Sequence, residues 1–133
     1  AVMHNQMNAP DFDDKAQKLT DKISKAFDQR QQQAICVRAA IDSCPHPVII
    51  CGDFNDSPAA FSVNKIGRGF KDSFRNSGKG FGATYHGEAF PAYRIDYIFH
   101  SRGYNDFGHT ICKQLDVSDH YPIYTYISII DNK

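Results

Sequence analysis

The stretch "VIICGDFND", residues 48–56, decides the reading of the chain. Four apolar residues, Val48-Ile49-Ile50-Cys51, run into a glycine and then into Asp53, Phe54, Asn55 and Asp56. A continuous apolar run bounded by turn residues reads as a strand covered on both faces. Asn and Asp are turn formers, so the polar end has a plain reading as the place where the strand stops. It has a functional reading too, because strand ends in open α/β sheets are where active-site residues stand. The six residues "CGDFND" do not by themselves choose between the two.

Working outward, the residues before this stretch read as a helix. From Lys15 to Ser43, Leu19, Ile23, Ala26, Phe27, Ala34, Val37 and Ile41 recur every three or four positions. The run Gln29-Arg30-Gln31-Gln32-Gln33 is either a surface turn of that helix or a break in it. Pro45 and Pro47 stop the helix before the strand. On the other side, Ser57 and Pro58 predict a cap and first position for a short helix to Ile66. Gly67, Gly69, Gly78, Gly80 and Gly82 mark loops around a short "FKDSF" element. Then the period changes. Residues 94–99, "RIDYIF", and the stretch around Thr110-Ile111-Cys112 are β-prone. Ile123, Thr125, Ile127 and Ile129 alternate with Tyr124, Tyr126 and Ser128, the mark of a strand with two different faces. This order predicts an α/β (α+β layered) fold, with helices covering a mixed sheet. Residues 1–14 read as a flexible N-terminal segment or a cut edge, and residues 15–133 as the folded part.

Fifteen basic and fifteen acidic side chains cancel, so no overall field favours nucleic acid, anionic membranes or acidic partners. One local exception is Lys65, Arg68, Lys71, Arg75 and Lys79, opposed in that window by Asp72 alone. It reads either as a solvated face or as a phosphate-binding patch. Ten Phe and seven Tyr supply a core and exclude a disordered chain. Cysteines at 36, 44, 51 and 112 form no C-x-x-C pair, which argues against a zinc ribbon and a thioredoxin-like redox site. Cys36 and Cys51 read as inert core residues. No apolar run approaches the roughly 20 residues that cross a bilayer, and the first residues lack the form of a signal peptide.

Two more polar clusters accompany these strands. Asp96 is the only acid in "RIDYIF", and burying a lone carboxylate costs several kcal/mol unless it is paired. Alone, it reads as readily as a structural salt-bridge partner of Arg94 or of a helix end as it does as a functional group. "VSDHYP", residues 117–122, places Asp119 and His120 before the final strand, where in isolation they read as loop residues. Together the clusters say more. Phosphoryl-transfer sites need an acid to position or deprotonate water, carboxylates for a hard divalent cation, and donors for phosphate oxygens. Asp53, Asn55, Asp96, Asp119 and His120 supply each kind of group. An imidazole close to Asp96 is oriented and held partly protonated by its charge.

GDFN, then R-I-D-Y, then S-D-H-Y-P, in that order, resembles the second half of the endonuclease/exonuclease/phosphatase superfamily. That group includes pancreatic-type DNases, abasic-site endonucleases, inositol-polyphosphate phosphatases, neutral sphingomyelinases and messenger-RNA deadenylases. The resemblance covers most of residues 30–130, and "GFGATYHGEAFPAYRIDYIFHS" is most similar to a bacterial branch, some members of which carry membrane segments ahead of the catalytic domain. It implies a DNase I-like four-layer αββα sandwich, of which this chain supplies roughly the C-terminal half. It also implies roles. Asp53 orients or deprotonates the attacking water, and Asn55 hydrogen-bonds the phosphate or that water. Asp96 orients and charge-stabilises His120, which stabilises the negative charge developing on phosphorus. Asp119, with Asp53, helps hold Mg²⁺, for which Mn²⁺ can substitute. Arg94 and Tyr85 fall near positions that line the substrate cleft, although a packing role fits Tyr85 equally well. The implied substrate is a phosphoester: nucleic acid, inositol phosphate or phospholipid head group.

The resemblance further implies that the metal is held largely by a glutamate in the first half of the domain, with an asparagine near the N-terminus and a mid-chain histidine. This chain has one glutamate, Glu88, inside "TYHGEAFP", which is not that context, and His4 lacks a preceding strand. The chain is therefore expected to be a C-terminal part that needs the missing N-terminal half, is weakly active or inactive alone, and either self-associates through exposed sheet surface, pairs its strand edges with a neighbour, or is only marginally stable. Two readings from other classes stand beside the hydrolase. One is a non-catalytic binding or assembly module on the same scaffold, favoured by the lone glutamate. The other is a sequence-general nucleic-acid binder, made less attractive by neutral charge and the absence of tryptophan. Which phosphoester is cleaved is set by loops around a shared centre and is not legible here.

Overall fold

A computed structural model describes residues 9–88 and 92–130, with side chains from residue 11 on. His4 lies outside the described residues. Helix α1 spans Ala9–Ser43, so it begins six residues before the periodic apolar pattern does and runs unbroken through the glutamine-rich stretch. Its early start is electrostatic. Asp11 sits in the first turn, where the helix dipole favours an acid, and Asp11–Lys15 and Asp14–Lys18 pair at 3.0 and 2.7 Å one turn apart.

The chain divides into two compact units, Ala1–Gln33 and Ala34–Lys133. In the first, the apolar positions Phe12, Leu19, Ile23 and Phe27 are exposed. The helix ends at Ser43, ahead of Pro45, as expected.

The second unit carries the sheets. Strand β1 (Ile49–Asp53) pairs antiparallel with β3 (Asp96–His100), which also pairs with the short β2 (Lys71–Asp72), giving the order β1-β3-β2. A separate antiparallel pair joins β4 (Tyr104–Ile111) to β5 (Ile123–Ile129). Between Phe107 and Thr110 its register shifts at a bulge, where Gly108 takes φ +66°. Along β5, Ile123, Thr125 and Ile127 are half-buried while Tyr124, Tyr126 and Ser128 are exposed, as the alternation requires, but Ile129 at the strand's end is exposed against expectation.

The core lies on central strand β3. Val63, Tyr97 and Phe99 are buried together, and Ile50, Phe54, Ala60 and Phe70 pack against them. Phe54 meets the rings of Tyr97 and Phe99 edge-on, at 5.1 and 5.7 Å between centroids. Strand β1 departs from expectation. It is not covered on both faces: Ile50 turns toward the core, but Ile49 and Cys51 are exposed. As an edge strand it has one neighbour among the described strands. Cys36 is exposed as well, so neither cysteine is a core residue.

Helix α2 spans Phe61–Gly67, later than Ser57-Pro58 predicts. Residues 57–60 instead form a turn, closed by the Ala60 amide donating to the Ser57 carbonyl at 2.9 Å. Ser62 donates to Asp56 at 2.6 Å and ties that turn to the helix. Helix α3 (Ser73–Ser77) is capped by Asp72, whose Oδ1 accepts the Phe74 amide at 3.1 Å. Behind it lies a buried polar network. His100 Nε2 and Asp106 Oδ1 stand 2.6 Å apart, both side chains fully buried, and Ser77 and Asn76 donate to the same carboxylate. Burial alone would raise the Asp106 pKa, but these donors and the nearby imidazole hold it below the ordinary aspartate value.

Candidate active site

The pairing of β1 with β3 sets Asp53 directly opposite Asp96. Two carboxylates facing each other across a ladder repel, so this register needs a positive group nearby. His120 provides it. Its Nδ1 lies 2.9 Å from Asp96 Oδ2, and its Nε2 lies 3.8 Å from Asp53 Oδ2.

His120 reaches this point through segment 84–86, which forms an irregular ladder on both sides. Tyr85 bridges to Tyr93 and to His120, the Tyr121 amide donates to the Thr84 carbonyl at 2.7 Å, and the His86 amide donates to the Asp119 carbonyl at 2.9 Å. Thr84 is fully buried, and its Oγ1 accepts the amides of both Ile95 and Asp96 at 3.1 Å. It fixes the start of β3, and hence Asp96, without touching the cluster through its own hydroxyl. Nothing in the spacing of the Gly-rich loop reveals this role, because the contact spans eleven and twelve residues.

The electrostatics follow from the geometry. Burial by itself would lower the His120 pKa, but the hydrogen bond that its Nδ1–H donates to Asp96 and the charges of Asp96, Asp53 and Asp119 overcome it, so the pKa stands above the ordinary histidine value. Among the described residues, Asp53, Asp96 and His120 offer ligand atoms all within 4.8 Å of one another. Two hard carboxylates and one imidazole can hold a divalent cation, and the carboxylate oxygens suit Mg²⁺ better than the nitrogen does.

Asn55 stands in the turn after β1 with φ 51°, a left-handed conformation that asparagine tolerates, and its amide donates to Asp53 Oδ1 at 2.8 Å. The turn reading is therefore correct for its backbone, and its side chain is exposed. Asp119 lies outside the three-residue group. Its exposed carboxylate takes the Ser118 hydroxyl at 3.3 Å and acts on His120 through its charge. The Tyr85 ring packs edge-on against His120 at 5.4 Å and against Tyr93 at 5.6 Å. Gly87 lets it do so: a Cβ there would fall 2.1 Å from the Tyr85 hydroxyl.

Arg94 is elsewhere. Its side chain is 9% exposed, Nη1 donates to both oxygens of Asp72 at 3.0 and 2.8 Å, and its guanidinium lies over Phe74 and Tyr97 at 4.7 and 4.8 Å. It neither lines the cluster nor pairs with Asp96. Asp72, from the basic window, claims it instead.

The model of the endonuclease/exonuclease/phosphatase family matches residues 19–120. The chain belongs to this family. Among solved structures, it resembles a mannosyl-6-phosphatase from Bacteroides thetaiotaomicron at 20% identity and TM-score 0.58, over 75% of this chain and 46% of that one. It resembles an endonuclease/exonuclease/phosphatase family protein from Bacteroides vulgatus at 22% identity and TM-score 0.62, over 76% and 44%. A family protein from B. thetaiotaomicron gives 20% identity and the same TM-score and coverage. At these identities the likeness is one of fold: the DNase I-like fold of the family. The chain spans less than half the length of these structures. No curated protein matches it. No helix among the described residues is long and apolar enough to cross a membrane.

Proposed function

We propose that this chain carries the water-activating and charge-stabilising groups of a divalent-metal-dependent phosphoester hydrolase. The observation that carries the reading is the Asp53–His120–Asp96 arrangement at the paired ends of β1 and β3. Family membership supports phosphoester hydrolysis as the kind of chemistry.

The residues divide the work as follows. Asp53 Oδ2, free of the turn bond that occupies Oδ1, orients the attacking water and draws its proton. Asp96 takes Nδ1 of His120, which leaves Nε2–H to donate to a phosphoryl oxygen as negative charge develops there. A pKa raised by Asp96, Asp53 and Asp119 favours the loaded form of that donor. Asn55 supplies a neutral donor to the phosphate or the water. A divalent cation, Mg²⁺ or Mn²⁺, would be held by Asp53 with Asp96 or Asp119, and supplies charge against the phosphate oxygens. The substrate is a phosphoester of nucleic acid, inositol phosphate or phospholipid head-group type.

One glutamate, the exposed Glu88, leaves this chain without the metal glutamate that the family resemblance implies, and favours a second reading as a non-catalytic binding module. Hydrolysis of bis(p-nitrophenyl) phosphate with Mg²⁺ or Mn²⁺ separates the two. A chain extended to the length of its structural relatives is expected to turn over with metal, and Asp53→Ala and His120→Ala each to reduce the rate by about 10²–10⁴-fold. The 133-residue chain is expected to be slow or inert. Turnover in the extended chain that survives both substitutions refutes the assignment, and metal-independent inertness of the extended chain favours the binding module.

A further inference from the structure

Three of the five basic residues that cluster in sequence meet around one cleft. Arg68 follows α2, Lys71 lies in β2 and Arg75 in α3, and they line a cleft of ≈ 370 Å³ with Phe70 and Phe99. That volume falls in the range of small-molecule sites, roughly 300–1,000 Å³.

The charge here is uncompensated. Asp72 is the single acid on the wall, and Arg94 engages both of its oxygens. Lys71 gives one bond to the Tyr104 carbonyl at 3.1 Å, which leaves two of its three ammonium donors. Arg68 and Arg75 are exposed and make no ion pair with described residues. Two guanidinium forks and an ammonium suit a phosphate, which arginine binds bidentately. The half-buried ring of Phe70 beside them suits an apolar or ring-bearing body attached to that phosphate.

The cleft is not the hydrolytic cluster. Lys71 pairs with His100, the opposite end of β3 from Asp96. Four residues at a strand rise of about 3.3 Å put the two sites on the order of 13 Å apart. We propose that this cleft is a second site, separate from the hydrolytic cluster, that binds a small organic phosphate of about nucleotide or sugar-phosphate size.

The test is calorimetric titration of the whole chain with adenosine monophosphate, without divalent metal. Saturable binding is expected. Arg68→Gln/Arg75→Gln, both at exposed positions, should weaken it at least tenfold while circular dichroism stays unchanged, and His120→Ala should leave it intact. In the unmodified chain, NMR shifts on titration should centre on Phe70, Lys71 and Phe99 rather than on His120. Absence of saturable binding overturns the proposal, as does binding lost in His120→Ala but kept in the double variant. Inorganic phosphate binding as tightly as the nucleotide overturns the organic part of it. Binding of a single-stranded oligonucleotide but not of the mononucleotide overturns it in favour of a nucleic-acid track.

Discussion

Replacing Arg94 by methionine separates a residue that supports the fold from one that meets substrate. The guanidinium has two oxygens of Asp72 at 3.0 and 2.8 Å and two aromatic rings within 4.8 Å, with side-chain exposures of 9% and 13% for the pair. Removing one member of a buried pair costs about 3–5 kcal/mol, mostly because the other charge is stranded. The residual exposure places this case at the lower end, about 3 kcal/mol. With a urea m-value on the order of 1–3 kcal/mol/M, the unfolding midpoint should fall by roughly 1–3 M. Asp72→Asn in the same chain removes the stranded charge but keeps the oxygen that caps α3, so Arg94→Met/Asp72→Asn should recover about half of the loss. With Asp72→Asn alone as the third variant, the cycle gives the coupling of the pair, expected at about 0.5–3 kcal/mol for contacting residues. Urea titration followed by circular dichroism measures all three variants. An unchanged midpoint for Arg94→Met, with a raised KM for phosphoester in the extended chain, would refute the structural assignment.

Thr84→Val keeps the shape of the side chain but deprives the Ile95 and Asp96 amides of their shared acceptor. It should destabilise the fold by about 1–3 kcal/mol, read as a urea midpoint, and displace the His120 ring resonances although the Thr84 hydroxyl bonds the Ile95 and Asp96 amides rather than that ring. Asp96→Asn should lower the His120 pKa toward the ordinary histidine range, read by NMR titration of its ring protons. Because the folded pKa is raised, the Asp96–His120 contribution to stability is complete below the unfolded histidine pKa and fades as pH rises through the folded one. In Asp96→Asn that portion of the pH dependence of the unfolding free energy should flatten; a slope equal to that of the parent would show that Asp96 is not the source.

Much of this protein is legible in its residues because the relevant signals are local. Pro45 ends α1, the alternation from Ile123 to Ile129 marks a two-faced strand, and the polar ends at Asp53, Asp96 and His120 announce groups that a core would not accept without a reason. The kinds of group needed for phosphoryl transfer can be recognised from residue type and order. Where local signals compete, the reading fails. Ser57-Pro58 has the form of a helix start, but Asp56 binds Ser62 and holds those residues in a turn. An apolar run cannot report whether its strand is central or at an edge, so Ile49 and Cys51 read as buried and stand exposed.

Partner choice was decided only by tertiary structure. Arg94 and Asp96 are two residues apart, yet Arg94, which precedes β3, pairs with Asp72, and Asp96, the first residue of the strand, pairs with His120. The antiparallel register places Asp53 opposite Asp96, and the ladder through residues 84–86 brings His120 beside both. Sequence determines which charges exist and how local turns present them. Which charges meet depends on strand register and buried hydrogen bonds between distant residues, because an ion pair or a proton donor acts over a few ångströms and chain order does not specify that distance.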